Sequence, residues 1–260
     1  MVDVTAFRSD RLPVEHFDRR FSDENVAFWV PIFVDAAEIG GGLDVLDVGC
    51  GTGGFAAAIA EASSANVVGC DVSERFIEHA TQRPPPAHGT VEWAVGDAEY
   101  LPFAASSFDR VLLSLVLHQL RSPLGAVYQS FRVLRPGGVV LVRTIAPEDV
   151  ADRVPERYTP AMAAADKARM PPIDEVVGWL ETAGFTDVGV ERHVRNKPLA
   201  LDEEIESLLT EARSRYTFVS EDELATAVER MRADAAAAGA SWIDPRPTYV
   251  ITAKKPPERP

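Results

Sequence analysis

Short apolar runs alternate with amphipathic stripes along most of this chain. Runs over 43–49, 66–71, 90–96, 108–114, 138–145, 185–193 and 248–253 have the length and composition of strands. Leu43, Val45, Leu46 and Val48 are apolar on both sides of the run, as a sheet covered on both faces requires. Stripes at helical spacing fall between the runs. Phe55, Ile59 and Ala62 mark one helix, and Phe76, Ile77 and Ala80 mark another behind a Ser73 cap. Ser122-Pro123 opens a third, carrying Leu124, Val127, Tyr128, Phe131 and Leu134 and closed by Pro136-Gly137. Val176, Leu180 and Ala183 form a fourth, stopped by Gly184. Strand–helix alternation of this kind predicts an α/β fold with a parallel, doubly wound sheet.

Two stretches depart from the alternation. Residues 1–42 carry a stripe of Val26, Trp29, Phe33 and Ala37 interrupted by Pro31, which predicts a kinked N-terminal helical cap. Residues 195–246 carry Ile205, Leu208, Leu209 and Ala212 on one helix. Ser220-Glu221-Asp222-Glu223 is a capping box opening a second, with Leu224, Val228 and Met231. The expected core is therefore 43–194 with 247–254, and 255–260 is expected to be a disordered, solvated tail.

The chemistry concentrates where the first strand ends, at V-L-D-V-G-C-G-T-G-G over 45–54. Gly49, Gly51 and Gly53 let the backbone turn sharply and approach a ligand that a Cβ would push away. The helix that follows offers the ligand its positive N-terminus. Gly49, Gly51 and Gly54 also satisfy the G-x-G-x-x-G spacing of dinucleotide-binding folds. Asp47 tips the balance. At the strand's carboxyl end it would repel a pyrophosphate and attract the ammonium and sulfonium of S-adenosylmethionine (SAM). Asp71 ends the second strand about 20 residues beyond the turn, where a carboxylate can accept both ribose hydroxyls.

Taken in order, the motifs resemble those of class I SAM-dependent methyltransferases of the small-molecule type, related to the ubiquinone and menaquinone biosynthesis enzymes. Asp47-Val48-Gly49-Cys50-Gly51-Thr52-Gly53 is similar to the family's first motif and Cys70-Asp71-Val72-Ser73 to its second. The third is Gly96-Asp97-Ala98-Glu99-Tyr100-Leu101-Pro102-Phe103. Phe108-Asp109 with the apolar run to Leu117-His118 is the fourth, and Leu134-Arg135-Pro136-Gly137-Gly138 the fifth. The resemblance implies a Rossmann-like sheet of order 3-2-1-4-5-7-6 with its last strand antiparallel. It implies SAM as cofactor and S-adenosyl-L-homocysteine (SAH) as product. Asp47, Gly49, Cys50, Gly51, Gly53, Asp71 and Val72 would line the cofactor, and Asp97 with Ala98 would clamp the adenine. Phe76 would pack on the adenine face or in its helix's core, and Ser114 would meet the methionine moiety. Between the last two strands the family needs only a hairpin, so the 195–246 helices read as a lid over the strands' carboxyl ends, joined by a loop over 147–172.

His118 lies one turn past the fourth strand; a hydrogen-bonded structural role is the favoured reading, and it is also the candidate general base. Phe28, Trp29, His118, Tyr158 and Tyr216 are the candidate acceptor pocket. His16, His79 and His88 read as surface positions.

Bulk properties narrow the partners. A net charge of −14 and no Lys/Arg cluster argue against nucleic acid, and Lys254-Lys255 reads as part of the solvated tail. No apolar run is long enough for a membrane span, and the N-terminus lacks a secretory pattern. Two cysteines, Cys50 and Cys70, make no disulfide framework and suggest a reducing cytoplasm. Glu148, Asp149 and Asp152 read as a solvated acidic loop, so no metal is expected. The reading is therefore a monomeric or homodimeric enzyme that methylates oxygen, nitrogen or carbon on a small molecule. A SAM-binding protein of non-methylating role, a cyclase or regulator, stays open. A nucleotide-dependent oxidoreductase stays open more weakly, since the chain has no Tyr-x-x-x-Lys pair.

Overall fold

The computed structural model describes residues 14, 18, 21–154, 156–215, 219–239 and 242–258. They divide into two compact units: a sheet unit (Pro13–Thr144, Ile173–Glu191, Tyr249–Pro260) and a helical unit (Ile145–Pro172, Arg192–Thr248). In chain order the elements are α1 (Asp23–Ala36), β1 (Asp44–Val48), α2 (Gly54–Ser63), β2 (Asn66–Asp71), α3 (Glu74–Ala80), β3 (Thr90–Val95), β4 (Phe108–Ser114), α4 (Pro123–Val133) and β5 (Leu134–Thr144). They continue with α5 (Pro160–Arg169), α6 (Ile173–Ala183), β6 (Thr186–Pro198), α7 (Leu201–Arg215), α8 (Glu221–Ala238) and β7 (Ile243–Lys254).

The strands form one sheet of order β3-β2-β1-β4-β5-β7-β6. The pairs β1–β2, β1–β4, β2–β3 and β4–β5 are parallel, and β7 runs antiparallel to β5. Both faces are covered, which is why the strand runs are continuously apolar rather than alternating. Val45, Val67, Leu112, Val139, Leu141 and Val250 pack under Trp29 and Phe33 of α1 and Phe55 and Ile59 of α2. Leu46, Val48, Val111, Leu113, Val140, Val142 and Ile251 face Val127 and Val133 of α4 and Val176 and Leu180 of α6. Each such fully buried side chain contributes about 1.5–3 kcal/mol of transfer free energy, and the two layers hold the strand ends in fixed register.

The helical unit has its own core, in which Ile205, Leu208 and Ala212 of α7 meet Leu224, Ala227 and Met231 of α8, with Tyr158, Met162 and Trp242. Ser220 caps α8, its Oγ accepting from the Glu223 amide at 3.1 Å. Among the described residues no helix is long and apolar enough to cross a membrane.

Several boundaries differ from the sequence reading. The 147–172 segment is not a plain loop, because it carries α5. Strands β6 and β7 extend past the expected 194 and 247 boundaries, and each is shared between the units. Lys255 is not a solvated tail residue. Its Nζ donates to the Phe131 and Leu134 carbonyls at 2.9 and 2.7 Å, satisfying the end of α4. Asp149 is buried too, and its Oδ1 accepts from Arg192 at 3.1 Å, so burial and pairing replace the expected solvation.

Candidate functional site

At the carboxyl end of β1 the chain turns back over the end of β2. The Gly49 and Cys50 amides donate to the Cys70 carbonyl at 2.7 and 3.1 Å, and the Gly51 amide donates to Asp71 Oδ2 at 2.9 Å. The Ser73 amide donates to Asp71 Oδ1 at 2.9 Å, while Ser73 Oγ caps α3 by accepting from the Phe76 amide. Asp71 therefore braces the turn and keeps further lone pairs for hydroxyl donors, since a carboxylate offers about four acceptor sites.

The glycines divide their labour in a way the spacing alone conceals. A Cβ on Gly49 would strike Val116 Cγ2 at 2.6 Å, one on Gly53 would strike Trp93 at 2.2 Å, and one on Gly54 would strike Phe21 at 2.2 Å. Those positions are small to admit the protein's own side chains. Gly51, at φ +57°, is different, because its nearest neighbour there is Phe21 Cζ at an ordinary 3.8 Å. Of these glycines, Gly51 is the one at which a Cβ would meet no protein atom closer than an ordinary contact.

Asp47 is 2% exposed, and its carboxyl is pushed up to about 7, first by burial and then by the Asp71 charge. The Asp71 pKa is also raised by burial, offset by amides of Ser73, Gly51 and Val72. A buried pair of like charges is costly. A cation bound alongside would relieve it, and a diphosphate would worsen it. Burial and the same two carboxylates push the Cys70 thiol up to about 12 and Cys50 well above its ordinary value. Burial and the neighbouring charges thus disfavour the thiolate form of both.

Beyond Asp71, Val72 stands 71% exposed, with Val95 at the end of β3 also exposed. Asp97 is exposed and its Oδ1 accepts from the Glu99 amide at 2.9 Å, while Ala98 is buried beside it. Phe76 is 7% exposed in α3. On the other side, Ser114 ends β4, Leu115 is held at φ +56°, and a single 3-10 turn carries half-buried His118. A non-glycine residue in the left-handed region is strained, and such strain concentrates at functional sites.

Arg143, at the end of β5, is a residue the sequence reading missed. It shares the sheet face of Val139 and Leu141, is 9% exposed, and lies over the Trp29 ring at 4.1 Å with Phe55 at 5.4 Å. Its Nη1 donates to Ser114 Oγ at 3.4 Å. The available signal was a charged residue interrupting the apolar run V-V-L-V-R-T over 139–144. Asp18 was missed as well. It accepts from Thr52 Oγ1 at 2.6 Å and from Arg83 at 2.7 Å, and it pairs with His79 at 2.7 Å, so His79 is not a bare surface position.

Of the proposed acceptor pocket, Phe28 and Trp29 meet edge to face at 4.9 Å in α1, and His118 belongs to the same unit. Tyr158 is buried in the helical unit's core with its hydroxyl on Asp234 at 2.8 Å. Tyr216 lies outside the described residues.

Comparison with known proteins agrees with this geometry. A family model described as a methyltransferase domain matches residues 46–142. A demethylmenaquinone methyltransferase of Paenarthrobacter aurescens is 31% identical over 179 residues, which is 62% of this chain and 69% of that protein. Among solved structures, the cyclase SpnF matches with a TM-score of 0.59 at 22% identity, over 88% of this chain and 81% of that one. Phosphoethanolamine N-methyltransferase 2 of Haemonchus contortus, solved with phosphomonomethylethanolamine and SAH, matches with a TM-score of 0.54 at 19% identity, over 94% of this chain and 60% of that one. At such identities the structural matches speak for the fold.

Proposed function

The chain belongs to the class I SAM-dependent methyltransferases, and on that premise we propose that it holds SAM along the carboxyl ends of β3, β2, β1 and β4 and methylates a small-molecule acceptor by in-line displacement. The observation that carries this reading is the pair of buried carboxylates, Asp47 and Asp71, at the carboxyl ends of β1 and β2, beside a glycine turn whose Gly51 amide donates to Asp71.

When bound, the cofactor supplies a methyl group on a cationic sulfur that departs neutral. The chain's own residues then have three tasks. Asp71 accepts the ribose hydroxyls, with Val72 and the Asp97–Ala98 turn flanking the adenine. Asp47 supplies the negative field that favours a cation and disfavours a nucleoside diphosphate. Ser114 and the strained Leu115 present backbone to the methionine end. Holding the acceptor against the methyl can by itself supply of order 7–11 kcal/mol of the barrier. Where the acceptor atom carries a proton, His118 is the group we assign to receive it, at a gain of about 10²–10⁴-fold.

Calorimetry with SAH against NADH tests the cofactor reading. Binding of SAH alone is expected, and binding of NADH alone would reject it. Replacing His118 with Ala and recovering undiminished turnover would remove His118 from its assigned role. Identification of the product separates methyl transfer from rearrangement of an acceptor that gains no methyl group.

A further inference from the structure

We propose that Arg143 binds an anionic group, a carboxylate or similar oxyanion, on the methyl acceptor. This rests on the cofactor arrangement proposed above. In that arrangement the adenine, ribose and methionine portions occupy the ends of β3, β2 and then β1 with β4. The next strand in the sheet is β5, and its last turnward side chain on the same face is Arg143, in register with Ser114. Ligands of open α/β sheets bind outside the carboxyl ends of the strands, so the position beyond the cofactor's reactive end belongs to the acceptor.

The surroundings of Arg143 say what it is suited to hold. The guanidinium lies over Trp29 at 4.1 Å, with the Phe55 and Phe33 rings at 5.4 and 5.9 Å. Rings can satisfy only the faces of a guanidinium, and its N–H fork has the geometry that pairs bidentately with a carboxylate. Ser114 Oγ adjoins that fork at 3.4 Å and can add a donor to the same anion. If Arg143 served only to fasten α1 to the sheet, an apolar side chain of equal volume would do so without the desolvation cost of a buried charge. Opposite charges would also be sorted along the rim, with Asp47 toward the cationic sulfur and Arg143 toward the anionic acceptor, and this sorting would draw the two reactants together.

The test uses the full chain saturated with SAH, benzoate as the anionic probe and benzyl alcohol as its neutral counterpart. Binding is followed by tryptophan emission, with Trp29→Phe identifying the responding residue. Benzoate is expected to perturb Trp29 saturably and benzyl alcohol is not. Arg143→Met is expected to weaken benzoate by about 10-fold or more while leaving SAH within about twofold. Arg143→Lys keeps the charge without the fork, is expected to fall between the two, and carries the test if the Met variant fails to fold.

Other outcomes overturn the proposal. If Arg143→Met weakens SAH but not 5′-methylthioadenosine, which lacks the amino-acid carboxylate, the anion bound is the cofactor's. If benzoate produces no Arg143-dependent response in SAH-loaded protein, Arg143 is a structural clamp. Failure of the unaltered chain to bind SAH would instead reject the cofactor reading itself, and this proposal with it.

Discussion

Both units bury acids, but they surround them with opposite chemistry. In the helical unit, Asp244 is 0% exposed and accepts from Arg246 Nε at 2.5 Å and from the Val154 amide at 3.2 Å. Glu204, 5% exposed, pairs with Lys197, and Asp149 pairs with Arg192. Burial there works most strongly against the charge on Arg246, yet the charge and hydrogen bond of Asp244, joined by the charges of Glu204 and Glu156, together outweigh it and raise the pKa. In the sheet unit, Asp47 is just as buried, yet both influences on its carboxyl, burial and the Asp71 charge, act to protonate it. Burial of an acid therefore does not mark a site by itself. An acid held among like charges does, because folding alone would not select that arrangement.

Removing an acid from each unit should consequently have opposite effects on the free protein. Asp244→Asn takes the fully buried carboxylate from the Arg246 guanidinium, whose side chain is 29% exposed, so the loss should approach the lower end of the about 3–5 kcal/mol seen for fully buried pairs. Urea unfolding should show a lowered midpoint for this variant. An unchanged midpoint would mean that the pair is not structural and that the contrast fails.

Asp47→Asn should instead stabilise the free protein at neutral pH. The folded pKa of about 7 exceeds the ordinary 3.8, so the folded state holds the extra proton between those values. Stability contributed by that proton is complete below about pH 4 and is lost as pH rises toward 7. A gap of that width between the folded and unfolded pKa is worth roughly 4 kcal/mol at most. The variant's advantage should therefore vanish at pH 4 and be fully developed at pH 8, while its affinity for SAM drops about 10–100-fold. In the unaltered protein, binding of the cation must expel the Asp47 proton below pH 7, so affinity should climb with pH and level off above it. A flat affinity profile from pH 5.5 to 8 would show that Asp47 is not titrating in this way.

Asp71→Ala sharpens the comparison, because this acid serves both purposes. It braces the turn through the Gly51 and Ser73 amides, and it is assigned the ribose. Hydrogen bonds to a charged acceptor are worth about 1.5–3 kcal/mol, so SAH affinity should fall about 10²-fold with a smaller loss of stability. Retained SAH affinity would reject the ribose assignment.

The strand positions were open to reading because each run is short, apolar and ended by turn chemistry at a defined place, whereas the sheet order came from the resemblance of the motifs to a known family. Asp47, Asp71 and Gly51 were visible for the same reason, since the sequence puts them at strand ends. Arg143 was hidden because its role depends on Trp29, which lies far away in sequence and reaches it only when α1 packs on the sheet. The separate duties of the glycines were hidden likewise, because Val116, Trp93 and Phe21 arrive from distant segments. Lys255 looked like a tail residue for lack of any local sign that two carbonyls near the end of α4 would meet it.

The smallest effect is expected at Asp18, where the sheet unit pairs an acid in the manner of the helical unit. Asp18 joins Thr52, His79 and Arg83, but its side chain and those of His79 and Arg83 are 33%, 28% and 27% exposed. Burial raises its pKa, the hydrogen bonds from Thr52 and His79 and the charges of His79 and Arg83 lower it, and the lowering prevails. The stability it contributes is thus present above the ordinary carboxylate range and lost as pH falls through its lowered folded value, the reverse of Asp47. Partly exposed pairs of this kind are worth about 0.2–1 kcal/mol, so Asp18→Asn should move the unfolding midpoint only slightly. Because Thr52 belongs to the glycine turn, the same variant should speed SAH dissociation more than its stability change alone accounts for. Stopped-flow release rates equal to those of the unaltered chain would confine Asp18 to a surface role, and leave the uncompensated pair as the sheet unit's distinguishing use of buried charge.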